Sequence, residues 1–161
     1  MEDFGICPDE GMINETESKG AYAPYIQSHR THIYQAYVKS LVEQGMAYPC
    51  FMTEEEIAKV REQQEAEKKL PGIYGEYAKY RDITVEEAQK LMDEGHEYVL
   101  RLKSPGKPDG KVSFKDAVKG SIEMPENKLD VVLLKNDGTP TYHFAHAVDD
   151  HLMHTTDVTR G

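Results

Sequence analysis

Apolar residues recur at helical spacing first between Ser28 and Gln44. Ile33, Tyr37 and Leu41 are four apart, and Tyr34, Val38 and Val42 lie beside them. This predicts an amphipathic helix with Ser28 as N-cap and Gly45 as its stop. The 27 residues before it show little periodicity. Gly5, Pro8, Gly11, Gly20 and Pro24 punctuate them, so they are read as loop with at most a short turn of structure. Met46–Tyr48 and Cys50-Phe51 form a short extended stretch broken by Pro49. Thr53 with Glu56, and Thr84 with Glu87, are capping boxes. The first opens a helix expected to reach about Lys69 and to end at Pro71-Gly72; the second opens a short helix ending at Gly95. Ile57, Val60 and Leu70 are the only strongly apolar residues of the first, so it faces solvent and promises marginal stability.

Strand patterns follow. Tyr98–Leu102 alternates and runs into the loop 104–110, and Val112–Phe114 is expected to answer it as a hairpin. Gly120–Met124 reads as another strand and Asn127 as a turn. The apolar run Val131–Leu134 meets a tight turn at Asn136-Asp137-Gly138, then a helix from about Thr141. No internal repeat is visible. The order is loop, three helices, three or four strands, helix: an α+β arrangement with α/β material at its flanks.

With 161 residues the chain has room for one domain, or one domain with pieces of a second. No apolar run approaches the roughly 20 residues of a membrane helix. Glu2 and Asp3 after Met1 are unlike a signal peptide. The expectation is a soluble, cytoplasmic protein. Two cysteines, Cys7 and Cys50, make no disulfide framework. The net charge of −10 argues against nucleic-acid binding by the chain as a whole. Charge is local, however. Lys103, Lys107, Lys111, Lys115 and Lys119 lie in one stretch, either as a binding face or as a ribbon kept soluble by lysine.

Candidate chemistry concentrates after Val131. His143, His146, Asp149, Asp150, His151 and His154 crowd one short helix. His143, His146 and Asp150 share a face. The spacing matches no common zinc signature, and a polar cleft wall is the preferred reading over a metal site.

The same stretch, Asp137-Gly138-Thr139-Pro140-Thr141-Tyr142, then Val148-Asp149-Asp150-His151-Leu152-Met153, then Arg160, closely resembles bacterial glutamyl-tRNA synthetases where the chain re-enters the catalytic domain. Tyr25, Gln27, Ser28 and Arg30 keep a second pattern of that family, mainly structural and near the tRNA acceptor end. The resemblance implies an α+β insertion (acceptor-binding) domain of helices and a small, mainly antiparallel sheet. Edge pieces of a Rossmann-like α/β catalytic domain flank it. The implied segments are 1–45 (catalytic edge), 46–138 (acceptor-stem insert) and 139–161 (return into the catalytic domain).

It implies a glutamate–tRNA ligase using ATP and Mg²⁺, a monomer that meets the acceptor stem of tRNA. This chain is expected to be an internal portion and inactive alone. No His-x-Gly-His or Lys-x-Ser-Lys phosphate signature is present; the resemblance puts the first before Met1 and the second beyond Gly161. Carried over by position, the glutamate contacts are Tyr142, His146 and Arg160. The fork of an Arg suits a carboxylate, and a Tyr hydroxyl donates from a rigid body. The family more often has Asn where this chain has His146. Lys119, where the family often has Arg, with Asn136 and Asp137, are the implied tRNA contacts. Some members hold zinc through Cys-x-Cys, but Cys50-Phe51-Met52 lacks the second Cys, so no zinc is expected. Two other readings stay open: a paralogue that glutamylates a modified tRNA base, and a non-enzymatic RNA-binding or interaction module.

Overall fold

The structure is a computed structural model and describes residue 5 and residues 8–159. Its centre is a three-stranded antiparallel sheet in the order β3-β4-β7, built from Ala47–Cys50 (β3), Val99–Leu102 (β4) and Val132–Leu134 (β7). Helices α1 (Thr31–Glu43) and α4 (Tyr142–Leu152) pack against it. Tyr34 and Val38 of α1, Ala47 of β3, Leu133 and Leu134 of β7, and Phe144, Ala145 and Val148 of α4 form one buried cluster. That cluster draws on residues before 46, between 46 and 138, and after 138. Pro49 does not interrupt β3: it pairs with Leu100, and on an edge strand its missing N–H costs no ladder bond.

The remaining elements are two small ribbons and two helices: β1 (Gly11–Met12) with β2 (Ser18–Lys19), α2 (Glu54–Ala66), α3 (Val85–Asp93), and β5 (Lys111–Asp116) with β6 (Gly120–Pro125). The fold is a mixture of helices with small antiparallel sheets. Among the described residues no helix is long and apolar enough to cross a membrane.

Local signals decide the helix ends. Both capping boxes form: Thr53 Oγ1 accepts from the Glu56 amide at 3.2 Å, and Thr84 Oγ1 from the Glu87 amide at 3.2 Å. After α1, Gly45 takes φ +69, its N–H bonds the Val42 carbonyl, and the Met46 N–H reaches back to Leu41. That is a Schellman stop. Gly95 ends α3 in the same way, with φ +80.

Several expectations are corrected. Residues 11–19 form the β1–β2 ribbon, whose turn is closed by Asn14 Oδ1 accepting from the Thr16 and Glu17 amides. Ser28 lies inside a 3-10 turn (Gln27–Arg30), and α1 starts at Thr31 with Arg30 in the cap position. Helix α2 stops at Ala66, short of Lys69, because Lys68 takes the left-handed conformation at φ 54. The expected hairpin of Tyr98–Leu102 with Val112–Phe114 is not formed. Strand β4 has both edges occupied, by β3 and β7. Strand β5 pairs instead with β6, through a turn in which Asp116 Oδ1 accepts from the Val118 and Lys119 amides.

A fully buried acid joins these parts. Asp130 is 1% exposed. Its carboxylate accepts from the Tyr48 hydroxyl at 2.9 Å and from the Ser104 amide at 2.9 Å, and is paired with Arg81. Its carbonyl accepts from Arg101 at 2.9 Å. Burial, then the Asp130 charge, push the Tyr48 phenol well above the ordinary tyrosine range. Buried Gln64 closes the loop after α2 through a reciprocal pair with the Gly72 backbone, at 2.7 and 2.8 Å.

Lys68 is exposed, and a non-glycine residue in the left-handed region is strained by roughly 1–2 kcal/mol. Lys68→Gly is therefore expected to raise the urea midpoint with an unchanged slope, by about 1 kcal/mol in stability. An unchanged or lower midpoint would contradict this account of the α2 stop.

Candidate functional site

Helix α4 is launched directly from the end of β7. The Thr141 amide donates to the Leu133 carbonyl at 2.9 Å and its hydroxyl to the Val132 carbonyl at 2.8 Å. The turn between them is held by Asp137, whose carboxylate accepts from the Thr139 hydroxyl at 2.6 Å and the Thr139 amide at 2.8 Å. Those bonds lower the Asp137 pKa, the hydroxyl contributing most. Gly138 supplies the φ of +79 that the turn requires.

Helical spacing then sorts the side chains of α4. Phe144, Ala145 and Val148 point into the core. Tyr142, His146 and Asp150 follow one another at four-residue steps on the other side. The rings of Tyr142 and His146 meet edge to face, with centroids 5.8 Å apart and planes at 81°. His146 Nδ1 is 2.7 Å from Asp150 Oδ2. Tyr142 is 63% exposed. Two of the three residues expected to hold the amino acid are thus brought together. The third, Arg160, lies outside the described residues, as does Cys7. Cys50 is buried.

The other expected residues sit elsewhere. Asn136 donates to Glu97 at 3.2 Å. With Gly138, Gln35, Lys39, His96 and Tyr98 it lines a cleft of about 340 Å³. Lys119 is exposed at the tip of the β5–β6 ribbon. At the other end of the ribbon Lys111 is paired with Glu123 at 2.5 Å, and Lys103 with Asp82 at 2.5 Å, so part of the lysine run is locally neutralised.

The His- and Asp-rich stretch does not act as one cluster. His151 packs edge-on against Tyr37 and His154 against Tyr22. Among the described residues no three His, Cys, Asp or Glu side chains gather as a metal site. Asp149 turns inward and reaches across the fold. Arg30 Nε donates to Asp149 Oδ1 at 2.9 Å, and the Tyr34 hydroxyl to Asp149 Oδ2 at 2.7 Å. Arg30 is 3% exposed, and its Nη1 also donates to the Tyr22 and Pro24 carbonyls, both at 3.0 Å. This clamp fixes the rotation of α4 against α1. The sequence carried one usable signal for it: Asp149 adjoins the inward positions Ala145 and Val148, whereas Asp150 falls on the His146 face.

Burial, then the hydrogen bond to Asp149, raise the Tyr34 pKa to about 12. The folded state holds this proton more tightly than the unfolded one. The stabilisation is therefore complete below pH 10 and is lost as pH rises toward 12. Tyr48 adds a slope of the same sign. Urea midpoints measured from pH 9 to 12 are expected to fall, and to fall less steeply in Tyr34→Phe. Equal slopes would contradict the buried phenol–carboxylate contact.

Comparison with known proteins gives the chain a family. Residues 4–161 match the family model described as tRNA synthetases class I (E and Q), catalytic domain. The chain is 57% identical over 161 residues to a glutamate–tRNA ligase of Clostridium perfringens, covering 100% of this chain and 30% of that protein. It is 46% identical over 160 residues to the glutamate–tRNA ligase of Bacillus subtilis, covering 98% of this chain and 31% of that one. Among solved structures it is similar to a glutamate tRNA ligase from Elizabethkingia meningosepticum in complex with its amino acid. There the TM-score is 0.71 and the identity 38%, over 86% of this chain and 28% of the other. The chain thus spans about three tenths of the length of the relatives it matches. With a family match over nearly all its residues, the chain belongs to the class I tRNA synthetases (E and Q), within their catalytic domain.

Proposed function

We propose that this chain works as part of a glutamate–tRNA ligase in the cytoplasm, which activates glutamate with ATP and attaches it to the 3′ end of tRNA. The observation that carries the reading is the 57% identity to such a ligase along all 161 residues. The geometry supports it. Tyr142 and His146 stand together on the open face of α4, where a hydroxyl and a ring nitrogen can hold an amino acid. Arg160 completes the pocket in this reading as the carboxylate-binding fork.

Residues 46–138 serve as the insert that grips the acceptor stem, with 1–45 and 139–161 as the adjoining parts of the catalytic domain. The shared core couples the insert to both flanks, so tRNA contacts and amino-acid contacts belong to one packed unit. Lys119 at the ribbon tip meets phosphate, and Asn136 and Asp137 lie at the turn that opens α4. The protein acts as a monomer on tRNA. The described side chains give Mg²⁺ no set of ligands, and no step through ATP or Mg²⁺ is assigned to them.

Two variants of the complete ligase test the reading. Losing a hydrogen bond to a charged ligand costs roughly 1.5–3 kcal/mol. Tyr142→Phe is therefore expected to raise KM for glutamate about tenfold or more. Unchanged glutamate kinetics would remove Tyr142 from the pocket. Lys119→Ala is expected to weaken tRNA binding at every sequence and to lower the salt slope by about 1. An unchanged slope would remove Lys119 from the interface. Periodate treatment of the tRNA, which destroys the 3′-terminal diol, is expected to abolish charging. Glutamate transfer that survives it would mean the acceptor is a base.

A further inference from the structure

We propose that Asp150 is a positioning residue for His146, holding its ring so that Nε2 faces the ligand side of α4. The proposal rests on the amino-acid pocket described above. A carboxylate accepts hydrogen bonds and donates none when ionised. At 2.7 Å from Asp150 Oδ2, the Nδ1 of His146 is the nitrogen to which the proposal gives the proton. Which nitrogen of a histidine carries its proton is set by the hydrogen bond the other makes. Nε2 is thereby left for the ligand, while Tyr142 packs edge-on against the ring and limits its rotation.

The backbone that carries this carboxylate is itself held. Asp150 lies in the last turn of α4, where its carbonyl accepts from the Thr155 N–H at 3.0 Å in the helix stop around His154. Its neighbour Asp149 is bound to Arg30 and Tyr34, which fixes the rotation of the helix and leaves Asp150 on the His146 face. Consecutive acids thus divide the work: Asp149 docks the helix, and Asp150 orients the ring. The pair is half-buried, with the His146 side chain 25% and the Asp150 side chain 37% exposed. An asparagine at 146 would carry donor and acceptor on one amide and would need no such partner. The role of Asp150 is tied to the presence of histidine.

The test uses the complete ligase with histidine-specific isotope labelling. Nitrogen shifts of His146 read its tautomer, and glutamate KM is measured in parallel. In the parent protein the ring is expected to be protonated on Nδ1. Asp150→Ala should lose that signature and raise KM for glutamate about tenfold, the scale on which partners of functional histidines act. Asp150→Asn, whose carbonyl still accepts from Nδ1–H, should restore most of both. In a His146→Asn background, Asp150→Ala should change KM by less than about twofold. An unchanged tautomer in Asp150→Ala overturns the proposal, as does an altered tautomer with unchanged KM. Should the parent protein itself fail to use glutamate, the pocket reading falls, and the nitrogen shifts alone then decide whether Asp150 orients the ring.

Discussion

A buried ion pair 119 residues apart in sequence, Arg30 with Asp149, sets the geometry on which the site depends. Burying a guanidinium costs several kcal/mol unless it is matched in charge and in hydrogen bonds. Here it is matched by Asp149 and by the Tyr22 and Pro24 carbonyls, with the Tyr34 hydroxyl on the other carboxylate oxygen. Slipping α4 by one residue would rotate it by about 100°, strand the charge on Arg30 and pull Phe144, Ala145 and Val148 from the core. The clamp therefore admits one rotation of α4, and that rotation presents Tyr142, His146 and Asp150 together. Function at the surface follows from a constraint in the interior.

Asp130, just before β7, repeats the device. Again a tyrosine hydroxyl and an arginine converge on one buried carboxylate. Here the partners come from β3, from the loop before α3 and from the loop after β4, so the acid locks the connections from which α2, α3 and the β5–β6 ribbon hang. Helix α2 buries only Gln64 along its length. Caps at both ends and the Gln64–Gly72 pair hold it where apolar packing does not.

What was legible in the sequence was local. Thr53 with Glu56, Thr84 with Glu87, Gly45, Gly95 and the Asn136-Asp137-Gly138 turn each act within a few residues, and each ends or starts an element where expected. Helical spacing put His146 and Asp150 on a common face, and the two side chains meet there at 2.7 Å. What was not legible depended on distant partners. Val112–Phe114 reads equally well as a partner of β4 or of β6, and only the occupation of both β4 edges decides. Lys68 in a left-handed stop breaks the preference for glycine, so the end of α2 was placed too late. Asp149 and Asp150 look alike in composition; only the adjacency of Asp149 to the inward positions Ala145 and Val148 separates them, and nothing local names Arg30 as its partner. Asp130 stands before an apolar strand with no local sign that its charge is buried.

The most direct test is a double-mutant cycle on Arg30 and Asp149, read by urea unfolding. Asp149→Ala leaves the buried Arg30 without its counterion and should cost roughly 3 kcal/mol, and Arg30→Ala, which leaves a carboxylate 24% open to water, should cost less. The double variant should then cost well below the sum, with a coupling of about 2–3 kcal/mol. Costs that add, with coupling below about 0.5 kcal/mol, would mean that the pair does not hold α4 and that its site-bearing face is set by something else.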